Sequence, residues 1–164
     1  MANRAGRNKI RYNRNSATQF KKDMKLLMSG ELWLTHLTMG NETILIVEDN
    51  PVNQKLLVTI LRPHGYRLLT AADGEEALTI ASQELPHLIL MDLQLPKMNG
   101  YTATQRLKEN PETAGIPVIA LTAHAMPEER YHAQQVGFDG YITKPIDTRS
   151  FPSQIRVYLE RAGA

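Results

Sequence analysis

From residue 43 onward, short apolar runs alternate with stretches of helical periodicity, and this alternation leaves very few architectures open. TILIV (43–47) is continuous, aliphatic and β-branched, as a strand covered on both faces requires. Asn50-Pro51 then supplies an N-cap and a first-turn proline, predicting a helix to about His64 with Leu56, Leu57, Ile60 and Leu61 inward. Gly65 ends it, and YRLLTA (66–71) is a second strand. Asp73 caps GEEALTIASQE (74–84), whose apolar stripe is Ala77, Leu78 and Ala81. HLILM (87–91) is a third strand, 101–109 a third helix, and IPVIALT (116–122) a fourth strand. A weakly amphipathic helix at about 127–136 precedes the fifth strand, GYIT (140–143).

The last helix carries Ile155, Val157, Tyr158 and Leu159. Capped by Asp147, it would hold Pro152 well inside, where the missing N–H and the ring clash cost roughly 3 kcal/mol. Capped by Ser150, it holds Pro152 in the first turn at little cost, so the helix is expected to begin near Ser150. Five strands alternating with five helices imply an α/β protein, a doubly wound five-stranded parallel sheet with helices on both faces. Ligands of such sheets bind beyond the carboxyl ends of the strands, where the strand order reverses.

A chain of 164 residues suits one domain with a hydrophobic core, and 42% apolar and 22% charged residues are ordinary for a globular protein. The absence of cysteine excludes disulfides, cysteine nucleophiles and thiolate metal sites. No apolar run is long enough to span a bilayer, and the start does not resemble a signal peptide, so a cytoplasmic location is expected. The net charge of +2 conceals two unlike segments. Residues 1–40 hold eight of the 19 basic residues and two of the 17 acidic ones, leaving an acidic body of 11 basic and 15 acidic residues. The basic pI belongs to the extension, and it does not make the body a nucleic-acid binder.

At the predicted carboxyl ends stand Glu48-Asp49, Asp92, Thr122 and Lys144. In LILMDLQLPKMNG (88–100) the buried run ends in Asp92 and breaks at once into a loop holding Pro96, Asn99 and Gly100. A carboxylate at the tip of a buried strand is costly unless it is paired, metal-bound or neutralised. Glu48, Asp49 and Asp92 would converge at one mouth, and such like charges destabilise the fold unless a cation joins them. A hard divalent ion with oxygen ligands, Mg²⁺ above all, suits that donor set. Lys144 adds an ammonium and Thr122 a hydroxyl donor. Together these groups form a receptor for a phosphoryl group, with Asp92 as the nucleophile that becomes an aspartyl phosphate.

VEDN after the first strand, MDLQLPKMNG after the third, ALTA after the fourth and YITKP after the fifth closely resemble the receiver domain of two-component response regulators. The resemblance covers about Asn41 to Arg161, with all four motifs in register. It implies a flavodoxin-like (βα)5 fold with strand order 2-1-3-4-5. It also implies that Asp92 accepts phosphate, with Mg²⁺ bound by Asp49, Asp92 and the backbone carbonyl of Gln94, and by Glu48 through water. Thr122 would hydrogen-bond the phosphoryl oxygen, Lys144 would pair with it, and the small Ala123 would leave room for entry. Tyr141 stands where the family places a ring that turns inward as the threonine is drawn to phosphate. Pro145 follows the lysine where the family usually has a cis peptide bond. Gln94 and His124 flank the site at positions where the family varies and tunes dephosphorylation. His64, His87 and His132 lack metal-ligand spacing and are expected at the surface.

The body resembles stand-alone cell-cycle and chemotaxis-type receivers, which implies a two-component phosphorelay. A histidine kinase or histidine phosphotransfer protein would be the donor, and an effector would read the surface of the fourth helix, fifth strand and fifth helix. The chain is expected to carry no DNA-binding output domain and not to be an enzyme. Receivers can pair through their last two helices, but no decisive apolar patch commits this chain to a homodimer. Two other readings stand beside this one. The receiver of a hybrid histidine kinase would share every motif. An aspartyl-phosphate phosphatase would also use a strand-end aspartate with Mg²⁺, but such enzymes usually carry a second acid two residues on, where Gln94 stands. A nucleotide-binding fold is disfavoured, because no Gly-rich loop follows the first strand.

The sequence thus divides into a basic extension, 1–40, and a receiver, 41–164. The beginning of the extension is polar and basic, with disorder as the default. Within TQFKKDMKLLMSGELWL, Phe20, Met24, Leu27 and Met28 recur at helical spacing, as in a short amphipathic helix. A linker remnant, or an upstream reading frame with the start at Met39, would account for the segment equally well.

Overall fold

A computed structural model describes residues 42–123 and 126–163, apart from the side chain of Pro127. The expectations for residues 1–40 and for His124 lie outside the described residues. Strands β1 (Thr43–Val47), β2 (Arg67–Ala71), β3 (Leu88–Asp92), β4 (Val118–Thr122) and β5 (Gly140–Thr143) alternate with five helices. The helices are α1 (Pro51–Leu61), α2 (Gly74–Glu84), α3 (Gly100–Glu109), α4 (Pro127–Val136) and α5 (Phe151–Ala162). All four strand pairings are parallel, in the order β2-β1-β3-β4-β5. The chain therefore winds outward from β1 first one way and then the other. The reversal opens a crevice beyond the carboxyl ends of β1 and β3.

Period-two alternation divides the core between the two faces of the sheet. Leu45, Val47, Ile89, Met91 and Ala120 pack against Ala77 and Ala81 of α2, Ala103 and Leu107 of α3 and Ala133 of α4. Ile44, Ile46, Leu88, Leu90, Ile119 and Leu121 point the other way, onto Leu57 and Leu61 of α1 and Phe151 and Ile155 of α5. Because both faces are covered, β1 and β3 are buried at every position, which is why they read as unbroken apolar runs.

Three local expectations are corrected. The first helix does not continue to His64: it ends at Leu61, and Arg62–His64 form a 3-10 turn closed by Gly65 at φ 83°. Pro63 has no N–H to give the carbonyl of Thr59, so the α-helical ladder stops and the last turn tightens. Leu56, expected inward, is 44% exposed, as is Val157 of the last helix, because the buried faces of their helices run through Leu57 and Leu61, and through Phe151 and Ile155. Phe151, not among the apolar residues named for the last helix, is fully buried. The last helix does start after Ser150 with Pro152 in its first turn. Ser150 caps no helical amide, however: its hydroxyl donates to Asp147 Oδ2 at 2.8 Å. The three histidines are on the surface as expected, though each has a partner: His87 Nδ1 accepts from the Thr43 amide at 3.0 Å, and His64 and His132 face Tyr66 and Tyr101.

Candidate functional site

Glu48 follows β1 and extends its pairing by one residue, its amide donating to the carbonyl of Ala71 at 3.0 Å. Its carboxylate is turned inward, 1% exposed, while Asp49 lies at the surface. Asp92 is the last residue of β3 and 6% exposed as a residue. Carboxylate oxygens of Glu48, Asp49 and Asp92 lie within 4.8 Å of one another, the convergence the sequence implied. Each strand end is fixed by the element that follows it. Asn50 accepts from the amides of Val52 and Asn53 to start α1, and Asn99 accepts from that of Thr102 to start α3.

Lys144 comes immediately after β5 and reaches across the crevice, because the sheet order sets β5 two strands away from β3 on the same edge. Its Nζ donates to Asp92 Oδ2 at 2.5 Å and to Glu48 Oε2 at 2.7 Å. Burial alone would lower the pKa of this ammonium. The hydrogen bonds and charges of Asp92 and Glu48 outweigh burial, and the net shift is upward. The backbone N–H of Lys144 donates to the Thr122 carbonyl at 2.7 Å, and the Lys144–Pro145 bond is cis, as the resemblance implied.

The remaining oxygens of the cluster are held from the loops. Asp92 Oδ1 accepts from the Gln94 amide at 2.9 Å. Glu48 Oε1 accepts from the Asn50 amide and from Asn53 Nδ2, both at 3.3 Å. Gln54 Nε2 donates to the carbonyls of Glu48 and Ala71, tying the ends of β1 and β2 together. The β3–α3 loop is pinned to α2 by Lys97, whose Nζ lies 2.6 Å from Asp73 Oδ2. These supporting residues are absent from the sequence-based assignment. Asn53 and Gln54 look like ordinary first-turn helix residues, and Asp73 has the sequence signal only of a helix cap.

Thr122 ends β4, opposite Thr143 in the register. It lines a cavity of about 10 Å³ with Leu93, Ala120, Glu129, Arg130, Ala133 and Tyr141. Tyr141 is 37% exposed, and the Arg130 guanidinium carbon stands 4.3 Å from the centre of its ring. Glu48, Asp49, Asp92 and Lys144 are thus in one cluster, Gln94 joins it through its amide, and Thr122 and Tyr141 share the neighbouring cavity. Ala123 is exposed next to Thr122.

A parallel sheet in this order, with an acidic cluster and a lysine at its reversal, defines the receiver class of signalling protein. The profile of the response regulator receiver domain matches residues 44–156, and the chain belongs to that family. It is similar to the polar-differentiation response regulator DivK of Brucella anthropi, 42% identical over 118 residues, which are 72% of this chain and 96% of the relative. Among solved structures, it resembles the receiver domain of a sensor histidine kinase from Pseudomonas aeruginosa PAO1, with 36% identity and a TM-score of 0.67. That match covers 76% of this chain and 99% of the other, whose structure carries a magnesium ion in its active-site cleft. Vibrio cholerae chemotaxis protein CheY4 matches at 26% identity and a TM-score of 0.68, over 71% of this chain and 98% of the other. No helix among the described residues is long and apolar enough to cross a membrane.

Proposed function

We propose that the protein is a phosphorylation-controlled signal carrier of a two-component phosphorelay, with Asp92 as phosphoacceptor. The observation that carries this reading is the junction of three carboxylates and Lys144 at the sheet's reversal. An all-oxygen donor set suits a hard divalent cation, and a soft one poorly. Asp49, Asp92 and the Gln94 carbonyl would hold Mg²⁺, with Glu48 acting through water. Bound there, the ion supplies positive charge to the phosphoryl oxygens.

A carboxylate oxygen of Asp92 attacks phosphorus, and the phosphorus–nitrogen bond of a phosphohistidine donor breaks. Burial at the end of a rigid strand holds that oxygen in place for attack. Lys144, already bonded to Asp92, transfers its charge to the incoming phosphoryl oxygens, and the Thr122 hydroxyl donates to one of them. The product adds about −1.5 to −2 charges and three acceptor oxygens. Drawing Thr122 toward them opens space beside it that the Tyr141 ring enters, and the surface of α4, β5 and α5 changes. The donor is a histidine kinase or histidine phosphotransfer protein, the reader an effector protein, and the location cytoplasmic. One phosphoryl group is stored per chain, which is the work of a carrier rather than an enzyme.

The test is incubation of the full chain with Mg²⁺ and acetyl phosphate, followed by mass spectrometry. A phosphoryl adduct is expected on the wild type and not on Asp92→Ala. Adducts of equal yield on both would refute the assignment. Similarity to a histidine-kinase receiver domain favours one second reading, that the same chemistry serves a hybrid kinase. Multiple turnover on varied organic phosphomonoesters would instead mark a phosphatase.

A further inference from the structure

We infer that Glu129 and Arg130, consecutive residues in the first turns of α4, are positioning residues that hold the two alternative places of the Tyr141 ring. The inference rests on the switch proposed above and assigns the groups that set its balance.

Glu129 Oε2 is buried and has no hydrogen-bond partner among the described residues. An unpaired buried acceptor is costly, so a donor that reaches it gains more than an ordinary hydrogen bond. Glu129 lines the same small cavity as Thr122 and Tyr141. At about 10 Å³ the cavity has room for about one water molecule and none for a phenol ring. The ring therefore enters only after Thr122 has moved, and its hydroxyl then comes to a site that already contains an unsatisfied acceptor. Arg130, also in the lining, covers the face of the same ring with its guanidinium Cζ 4.3 Å from the ring centre, a cation–π contact that favours the ring's present, 37% exposed place. One helix end thus bears both the group that retains the ring outside and the group that receives it inside.

Tyr101 is the competing donor. Its pKa is raised mainly by burial and partly by the charge of Glu129, so its hydroxyl is also in the neighbourhood of that carboxylate. It packs against His132 and Phe138, however, and does not line the cavity.

The experiment places 3-fluorotyrosine at position 141 of the full chain and reads its ring environment by ¹⁹F NMR, with and without Mg²⁺ and beryllofluoride as phosphoryl mimic. Arg130→Gln should raise the inward fraction of the resting protein about two- to fivefold, as expected for loss of an exposed cation–π contact. Glu129→Leu should lower the inward fraction of the beryllofluoride complex about tenfold, as for a hydrogen bond to a charged acceptor, and Glu129→Gln should restore most of it. Unchanged ratios in Arg130→Gln and Glu129→Leu would overturn the inference. So would a Tyr101→Phe variant that reproduces the Glu129→Leu loss. Failure of the wild type to bind beryllofluoride would count against the phosphoacceptor reading, while the resting-state Arg130→Gln comparison would still decide the clamp.

Discussion

Gly100→Ala isolates the contact that seats the nucleophile. Gly100 is the first residue of α3, and a Cβ built on it would collide with the carbonyl oxygen of Asp92 and lie 3.0 Å from Leu93 Cα. Both are backbone atoms, and the Gly100 amide is itself tied to the Leu93 carbonyl at 3.1 Å, so no rotamer change relieves the clash. Overpacking of this kind costs about 1–3 kcal/mol, and with rigid neighbours the upper end applies. Alanine returns about 0.5–1 kcal/mol through its better helix propensity, leaving a net loss of about 2 kcal/mol. For about 120 folded residues, an unfolding entropy of about 2.1 cal/mol/K per residue converts that to a fall in Tm of about 8 °C. Thermal unfolding followed by circular dichroism at 222 nm reads it. Gly115→Ala is the control, because a Cβ there meets nothing within 4 Å, and its Tm should stay level or rise by a few degrees. A Gly100→Ala protein melting within about 2 °C of wild type would show that the loop yields, and the close-packing argument would fail.

Lys144→Met leaves the Glu48 and Asp92 carboxylates, 1% and 8% exposed, without their cation. It should cost about 1–3 kcal/mol, the usual figure for a broken buried pair reduced because Lys144 is itself partly exposed. Millimolar Mg²⁺ should then raise the Tm of the variant more than that of wild type, and equal rises would contradict the electrostatic account. The raised pKa of Lys144 has a defined sign in stability: its contribution is complete below its unfolded value near 10.5 and is lost as pH climbs through the higher folded value. Buried Tyr66 and half-buried Tyr101, whose pKa values are raised mainly by burial, add alkaline losses of the same sign, so the measurement is the difference in unfolding free energy between wild type and Lys144→Met from pH 8 to 12, which should shrink. Asp73 runs the opposite way. The Glu76 amide first, then Lys97, hold its carboxyl below 3.8, so its contribution is present above that pH and is lost as pH falls through the lower folded value. A ¹³C titration placing the Asp73 midpoint at or above 3.8 would contradict the cap and the ion pair together.

The fold was legible because the inner strands β1, β3 and β4 are covered on both sides and so spell themselves as nearly unbroken apolar runs. Asn50, Asp73 and Asn99 accept helix amides where they stand, and these local bonds set the helix starts. Legibility ended where the deciding contact was distant or depended on which way a helix turned. Leu56 and Leu57 are equally apolar neighbours, and only docking on the sheet buries the second and exposes the first. Gln54 and Lys97 carry no local mark of their work, because their partners, the Ala71 carbonyl and Asp73, are brought to them by different elements.

The order of strand and helix, the capping residues and the identity of each strand-end side chain belong to the sequence by itself, since backbone periodicity and local hydrogen bonds act within a few residues. Only the tertiary structure could bring Lys144 to Glu48, 96 positions away, and to Asp92, 52 away. It also stranded a carboxylate oxygen of Glu129 beside the Tyr141 cavity. Side-chain distances of that kind follow from strand order, register and helix docking, which every residue of the core settles together.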